Sequence, residues 1–305
     1  MDTIKKLSDY AILTGQSQKF VGVPKTIDND LALTDHTPGY GSAAKYIATS
    51  TKEVIRDGLG FSYKKQQVII IEIMGRNAGW LTGAAALSRG EDCDGPDLIY
   101  LPERTFDIEK FTAKVRKLLT RKDVVVVAVS EGIRIQDGRY VSELGSASDY
   151  VDAFGHKQLT GTASYLANVI HRDIGCKTRA VEFSTLQRSA AHLASRVDVN
   201  EAFMVGGAAV KAADEGDSGK MVVIDRVSDD PYQCATGIYD VHKIANGEKM
   251  VPREWITKDG TYVTEEFIDY VRPPVCYGRR NPAASVHGKT LIDPANPYIF
   301  CIRKA

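Results

Sequence analysis

Short apolar runs alternate with helical patterns along this chain. Residues 68–73 (VIIIEI) and 124–129 (VVVVAV) are almost uniformly apolar and rich in β-branched side chains, which is the pattern of strands covered on both faces. A shorter apolar run at 20–23 predicts a further strand. The pattern predicts helices over 79–87, 108–119, 158–171, 189–195 and 199–214. Strand, loop and helix in alternation indicate an α/β protein with a mostly parallel sheet.

The pattern loosens after residue 225, where prolines break the chain into turns and short elements. This last part keeps large aromatic side chains that need to be buried, which is not typical of a disordered tail. They are Tyr239, Trp255, Phe267, Tyr270 and Tyr277. We therefore expect an ordered C-terminal extension.

Length and charge restrict the class of protein. A chain of 305 residues favours two domains, and its 39 basic residues balance 39 acidic ones. This balance leaves no overall field to attract nucleic acid or an acidic membrane. The apolar runs are too short to span a membrane, and no apolar leader follows Met1. Five widely spaced cysteines without a CxxC pair predict reduced thiols, so we expect a cytoplasmic protein.

Loop 24–30 (PKTIDND) carries the densest chemistry in the sequence. It directly follows the strand predicted at 20–23, and ligands of open α/β sheets bind at the carboxyl ends of strands. Asp28 or Asp30 could accept a proton, and Lys25 could neutralise phosphate charge, as phosphoryl transfer to a hydroxyl requires. An acidic surface turn is the alternative, because Asp and Asn are common turn residues.

Two further motifs follow the predicted central strands. Met74-Gly75-Arg76 lies between strand and helix, where glycine allows close backbone approach and arginine can bind phosphate. Glu131, at the end of the valine-rich strand, would suit a sugar hydroxyl. The alternative for residues 74–76 is a tight turn whose arginine faces solvent. The alternative for Glu131 is a salt bridge without a ligand.

Two arginines, Arg179 and Arg188, lie nine residues apart around a β-rich segment. A pair of guanidinium groups can hold one phosphate, although scattered surface arginines are the commoner finding. The chain contains no GxGxxG, P-loop, HExxH or GxSxG motif. This argues against the usual dehydrogenases, Walker-type ATPases, zinc proteases and α/β-hydrolases.

In this order, the motifs resemble those of the phosphofructokinase family over at least residues 1–225. They are TIDND at 26–30, MGR at 74–76, SEG at 130–132, LQR at 186–188 and HLASR at 192–196. The resemblance implies two similar three-layer α/β/α (Rossmann-like) domains with the active site between them, the first domain being incomplete. It assigns residues 1–38 and 188–225 to the remaining phosphoryl-donor domain, 39–187 to a fructose 6-phosphate domain and 226–305 to an extension packed on both.

The same resemblance implies a role for each matching residue. Asp28 would be the general base for the sugar 1-hydroxyl, with Lys25 and Arg76 as catalytic cations. Thr26 and Asp30 would lie against the transferred phosphoryl group and its Mg²⁺ shell. The remaining substrate-binding residues would be Ile27, Met74, Gly75, Glu131, Thr185, Arg188 and, from a neighbouring subunit, Arg179.

Lys25 indicates the phosphoryl donor. Pyrophosphate-using members of the family have the sequence Pro-Lys-Thr-Ile-Asp, whereas ATP-using bacterial members usually have glycine before Thr-Ile-Asp. The expected reaction is therefore reversible phosphoryl transfer from pyrophosphate to fructose 6-phosphate, in a homodimer or homotetramer that uses Mg²⁺. An ATP-dependent 6-phosphofructokinase, or a non-catalytic sugar-phosphate-binding or partner subunit, remains the alternative.

The sequence departs from the family pattern in three places. Met1 resembles the position after the family's Gly-Gly-Asp-Asp-Ser loop, so the principal metal-binding aspartate is expected upstream. This predicts little activity for the isolated chain and an uncovered edge of the front sheet. Gln67 stands where the family often has arginine, and Thr185 where histidine or tyrosine is usual.

Overall fold

The computed structural model describes residues 1–60, 65–145, 161–245 and 247–275, with the backbone of 292–293 and 296–300. The helices are α1 (Asp2–Leu13), α2 (Tyr40–Gly60), α3 (Trp80–Gly83), α4 (Ile108–Leu119), α5 (Thr162–Ile174), α6 (Arg196–Asp214) and α7 (Glu265–Val275). The strands are β1 (Val21–Gly22), β2 (Gln67–Ile73), β3 (Leu98–Tyr100), β4 (Val124–Ser130), β5 (Lys177–Glu182), β6 (Lys220–Asp229), β7 (Tyr232–Asp240), β8 (Ile292–Asp293) and β9 (Asn296–Phe300).

A parallel four-stranded sheet, called here the main sheet, has the strand order β3-β4-β2-β5. Every residue of β2 and β4 is buried, as the uninterrupted apolar runs predict. Alternate side chains of each strand enter two apolar clusters, one shared with α2 and α7 and the other with α4 and α5. The main sheet therefore forms the middle of an α/β/α sandwich, which confirms the expected fold class.

A second, front sheet has the order β1-β6-β7. The short β1 pairs in parallel with β6, and β6 and β7 form an antiparallel hairpin. Helix α6 packs Val205 and Ala209 against Val222 and Ile224 of β6. Its opposite face exposes large apolar side chains, namely Val199, Phe203 and Val210.

The predicted helices differ in how well they match the structure. The helix predicted at 108–119 is α4, and the one at 199–214 is α6, which begins earlier. At 79–87 a short α-helix continues as a 3₁₀ helix over Ala84–Ser88. Of the helix predicted at 158–171, positions 158–160 lie outside the described residues and the rest belongs to α5. The prediction at 189–195 is wrong, because this short stretch forms only a 3₁₀ turn.

The C-terminal extension contributes strand residues to the front sheet and a helix that packs on α2 and α6. Strand β6 crosses the boundary expected at 225, and α7 contacts both α2 and α6. Phe267 is fully buried and stacks on Trp80 at a ring distance of 5.9 Å. Tyr277 lies outside the described residues. The domain limits remain a proposal.

Two sequence expectations concern thiols and membranes. Cys93, Cys176 and Cys234 are free cysteines, whereas Cys276 and Cys301 lie outside the described residues. Across the part of the chain that the structure describes, no helix has the length and apolar character needed to cross a membrane.

Candidate active site

The site is built where the two central strands end side by side. In the main sheet Ile73 pairs with Ser130, so the segments that follow β2 and β4 leave the sheet at the same edge. The Glu131 N–H donates to the Ile73 carbonyl at 2.9 Å, and the Ser130 hydroxyl donates to the Gly75 carbonyl at 2.6 Å. Residues 74–76 and 130–132 therefore form adjoining loops at the carboxyl edge of a parallel sheet, where ligands of such folds bind.

Two glycines allow these loops to touch. A Cβ atom on Gly132 would lie 1.9 Å from the Arg76 carbonyl oxygen, a separation that no side chain tolerates. Gly75 has a φ of +138°, and a Cβ there would meet the Ala78 carbonyl at 2.6 Å. Gly132 thus brings the backbone that carries Glu131 directly against the backbone that carries Arg76, and Gly75 allows the loop after β2 to turn back on Ala78.

Several of the predicted site residues act electrostatically on the carboxyl group of Glu131. Burial raises the pKa of its carboxyl to about 7, and the negative charge of Asp28 acts in the same direction. The Gly75 N–H, 3.5 Å from Glu131 Oε1, and the charges of Arg76 and Arg188 oppose this rise. Charged and hydrogen-bonding groups from three other loops that are far apart in sequence therefore act on one carboxyl.

Loop 24–30 presents Asp28 towards that carboxyl. The Asp28 N–H donates to the Thr26 hydroxyl at 3.1 Å, and the Thr37 hydroxyl fixes the Thr26 carbonyl at 2.7 Å. Burial, followed by repulsion from Asp30, raises the pKa of Asp28, while Thr26, Lys25 and Arg76 moderate the rise. A carboxylate whose proton affinity is raised in this way is suited to accept a proton.

The other residues of this loop differ in their surroundings. Lys25 is exposed, whereas Ile27 packs against the apolar core. Burial, and then the charge of Glu248, raise the pKa of Asp30, which Lys249 opposes. The loop therefore places a solvent-facing cation and two partly buried acids within seven residues.

Arg188 is held near the strand ends by its neighbour Gln187. The Gln187 side chain is buried, accepts the Met74 N–H at 3.1 Å and donates to the Ser184 carbonyl at 3.0 Å. This fastens the 184–188 turn to the loop after β2. Thr185 and Arg188 are left exposed on the turn.

Arg179 is the predicted residue that this chain does not bring to the group around Glu131. It lies on the edge strand β5 and forms an ion pair with Asp57 of α2 at 2.9 Å. Its predicted role is to bind the 6-phosphate in a neighbouring subunit, which the structure of a single chain does not test.

Sequence reasoning missed several residues that support the site. Gln187 lies inside the recognised LQR motif but was assigned no role. Asn29 is fully buried in loop 24–30, between Asp28 and Asp30, and Lys249 and Tyr270 contact its side chain. Burial lowers the pKa of Lys249 to about 8. The local sequence around Lys249 and Tyr270 does not predict these contacts, because both residues are more than 200 positions away from Asn29 in the chain.

Comparisons with known proteins identify the family of this chain. The family model described as Phosphofructokinase matches residues 1–213. A pyrophosphate–fructose 6-phosphate 1-phosphotransferase of Xanthomonas campestris is 44% identical over 283 residues, covering 91% of this chain and 67% of the relative. A protein of the same name from Halomonas elongata is 41% identical over 89% of this chain and 64% of its own length.

Solved structures give the same result for the fold. The pyrophosphate-dependent phosphofructokinase of Nitrosospira multiformis superimposes with a TM-score of 0.80 at 34% identity, covering 100% of this chain and 70% of that protein. The chain thus spans about two thirds of the length of the proteins to which it is similar.

Proposed function

The chain belongs to the phosphofructokinase family, and from this premise we propose that it transfers a phosphoryl group from pyrophosphate to the 1-hydroxyl of fructose 6-phosphate. The products are fructose 1,6-bisphosphate and phosphate, and the reaction is reversible. The observation that carries the proposal is the contact between the loops after β2 and β4, where the Ser130 hydroxyl donates to the Gly75 carbonyl and the Gly75 N–H faces Glu131 Oε1. The effect of Asp28, Arg76 and Arg188 on the pKa of Glu131 supports placing a proton acceptor, cations for phosphate and an acceptor for sugar hydroxyls around these loops.

Asp28 is the proposed general base. Its carboxylate takes the proton from the 1-hydroxyl as the oxygen of that hydroxyl forms its bond to phosphorus and the bridging P–O bond of pyrophosphate breaks. The raised pKa of Asp28 supports this role, because a more basic carboxylate accepts the proton more readily. The leaving phosphate departs with the electron pair of the broken bond, and the reverse reaction returns the proton from Asp28.

Arg76 and Lys25 are the proposed cations for the phosphate groups. Both already act electrostatically on Asp28, which supports their proximity to the reacting oxygen. The exposed position of Lys25 would allow it to meet a small donor arriving from solvent. The names of the similar proteins, which are pyrophosphate–fructose 6-phosphate 1-phosphotransferases, support pyrophosphate over ATP as the donor.

Mg²⁺ is the proposed cofactor. The described residues contain no group of three or more His, Cys, Asp or Glu side chains that could hold a metal ion. Mg²⁺ is commonly bound through one or two carboxylates and the phosphates of a substrate, which fits Thr26 and Asp30 lying against its shell. When bound, the ion would neutralise charge on the phosphoryl oxygens.

The sugar phosphate would bind across the adjoining loops. Met74 and Gly75 would contact it through backbone groups, Glu131 would accept its hydroxyl hydrogen bonds, and Arg188 would bind the 6-phosphate. Ile27 and Thr185 would border this site. In a homodimer or homotetramer, Arg179 would reach the 6-phosphate of a neighbour. The main sheet would thus serve the sugar and the front sheet the donor.

The direct test is product formation, which here and in the kinetic tests below is measured on the chain extended upstream by the Gly-Gly-Asp-Asp-Ser loop that the family resemblance implies. The purified 305-residue chain alone is expected to form little product. Fructose 6-phosphate and Mg²⁺ are supplied with either pyrophosphate or ATP, and fructose 1,6-bisphosphate is measured. Product with pyrophosphate alone supports the proposal, and product with ATP alone supports the ATP-dependent alternative. Binding of fructose 6-phosphate by calorimetry without turnover from either donor supports a non-catalytic sugar-phosphate-binding subunit.

Arg188→Gln should weaken fructose 6-phosphate binding by about 10- to 100-fold, because a charge-assisted hydrogen bond contributes about 1.5–3 kcal/mol. Titration calorimetry measures the dissociation constant. Arg172→Gln is the matched control, since Arg172 is exposed on α5 and pairs with the adjacent Asp173. Equal affinities for the wild type and Arg188→Gln would remove Arg188 from the sugar site.

A further inference from the structure

Two side chains from the C-terminal extension hold the end of loop 24–30 and the segment that follows it. The amide of the buried Asn29 donates to the Tyr270 hydroxyl at 2.9 Å and accepts from Lys249 Nζ at 3.2 Å. Lys249 Nζ also donates to the carbonyls of Thr34, at 3.3 Å, and Asp35, and the Tyr270 hydroxyl donates to the same Asp35 carbonyl. The two side chains thus connect Asn29, between the two acids of the loop, with residues 34–35 that follow it.

The backbone of the same extension adds a second attachment. The Lys249 N–H donates to the Asp30 carbonyl at 2.7 Å, and Leu31 and Glu248 form an antiparallel bridge. Asn29 has a left-handed φ of +55°, a conformation that asparagine adopts more readily than most residues other than glycine. Its fully buried side chain lies between Asp28 and Asp30 and has Lys249 and Tyr270 as its hydrogen-bond partners.

The extension also forms hydrogen bonds with the segment that follows Arg76. The Asn77 amide donates to Glu248 Oε1 at 2.8 Å, and the Trp80 indole N–H donates to the Lys249 carbonyl at 2.8 Å. Lys249 Nζ lies 5.0 Å from the Trp80 ring centroid, within range of a cation–π interaction. The same short segment is therefore bonded to both loops, although neither loop adjoins it in sequence.

We propose that Glu248, Lys249 and Tyr270 form a clamp that sets the position of the Asp28 loop relative to the Arg76 loop. The clamp residues are positioning residues: they act through Asn29, Asn77 and Trp80 and take no part in proton transfer. The inference rests on the proposed function for its kinetic consequence. Its structural consequence, order in the two loops, is independent of that function.

The kinetic consequence is a selective loss of turnover. Small displacements of reacting groups can cost about 10²-fold in rate. The proposed sugar contacts are fastened independently of the clamp, since Gln187 accepts the Met74 N–H and Ser130 donates to the Gly75 carbonyl. Lys249→Met should therefore lower kcat by about 10- to 100-fold and change the KM for fructose 6-phosphate by less than about threefold. Tyr270→Phe, which removes one hydroxyl and keeps the ring, should lower kcat by about 3- to 10-fold.

Tyr262→Phe is the matched control for both variants. Tyr262 is another partly buried tyrosine of the extension, packs against the same apolar cluster and has no hydrogen-bond partner for its hydroxyl among the described residues. It should leave kcat and KM unchanged. Loss of turnover in this control equal to that in Tyr270→Phe would overturn the clamp.

Hydrogen–deuterium exchange of the intact chain provides a readout that does not need activity. In Lys249→Met and Tyr270→Phe, peptides over 24–36 and 74–79 should exchange faster, by about tenfold in the former, while the peptide over Gln67–Ile73 keeps its wild-type rate. Unchanged exchange in both loops, or equal acceleration in β2, would overturn the proposal. Acceleration confined to the loops in a chain that forms no fructose 1,6-bisphosphate would reject the proposed function and retain the clamp.

Discussion

In the chain completed with the upstream Gly-Gly-Asp-Asp-Ser loop, Asp28→Asn is expected to lower the rate of fructose 1,6-bisphosphate formation by about 10²–10⁴-fold, the usual contribution of a general base. The amide keeps the size of the side chain and its hydrogen bond with Thr26, but it cannot take a proton at neutral pH. Fructose 6-phosphate affinity should change little, because the proposed phosphate and hydroxyl contacts belong to Arg188 and Glu131. The combination of a large fall in kcat with preserved binding identifies a group that acts in the transition state.

The measurement is best made at pH 8. Burial gives Glu131 a pKa of about 7, so at lower pH its own protonation would change sugar binding and obscure the effect of Asp28. Asp137→Asn is the matched control, because Asp137 is an exposed turn residue that pairs with Arg139. If Asp28→Asn retains the wild-type rate, Asp28 is not the base.

The sequence was sufficient to predict the strands that bear the site. Residues 68–73 and 124–129 are apolar throughout because both faces of β2 and β4 are covered. Since parallel strands end at a common edge, Arg76 and Glu131 could be expected to lie together before any contact was known. The loops that follow such strands are therefore the most predictable part of this molecule.

Helix α2 shows why other elements escaped prediction. It buries Lys45 and Lys52 within its packed face, and Lys45 donates to the distant Ala194 carbonyl at 3.0 Å. A periodicity argument counts these lysines as solvent-facing, so the apolar stripe of the helix is hidden. Their burial depends on long-range partners, which a local pattern does not contain.

The clamp escaped prediction for the same reason. Lys249 and Tyr270 contact Asn29 across 220 and 241 positions of sequence. Each lies in a proline-interrupted region whose local pattern predicts only turns. Their contribution arises from how the C-terminal extension packs against the strand-end loops, and so it became visible only in three dimensions.

Glu72, a buried acid of β2, affects the stability of the fold. It is buried in β2, and its Oε2 accepts the Ala163 N–H at 2.8 Å, at the N-terminal end of α5. Burial raises its pKa to about 7, the charges of Glu182 and Glu131 add to the rise, and the N–H groups of Ala163 and Gly161 oppose it. The folded chain therefore holds Glu72 protonated at pH values where the unfolded chain ionises it.

Glu72→Gln should change the pH dependence of folding stability. In the wild type the unfolded carboxyl ionises near its ordinary pKa of 4.5 and the folded one near 7, so Glu72 lowers the free energy of unfolding as the pH rises between these values. The loss approaches about 3 kcal/mol and is constant above pH 7. The difference in unfolding free energy between Glu72→Gln and wild type should thus rise by about that amount from pH 4 to pH 8.

Urea unfolding at a series of pH values measures this change and separates it from any constant effect of the substitution. A lost hydrogen bond or altered packing shifts the variant equally at every pH, whereas the ionisation of Glu72 contributes only between its unfolded and folded pKa. A flat difference for Glu72→Gln would mean that Glu72 ionises in the folded protein as readily as in the unfolded chain, which its burial beside Glu131 and Glu182 argues against.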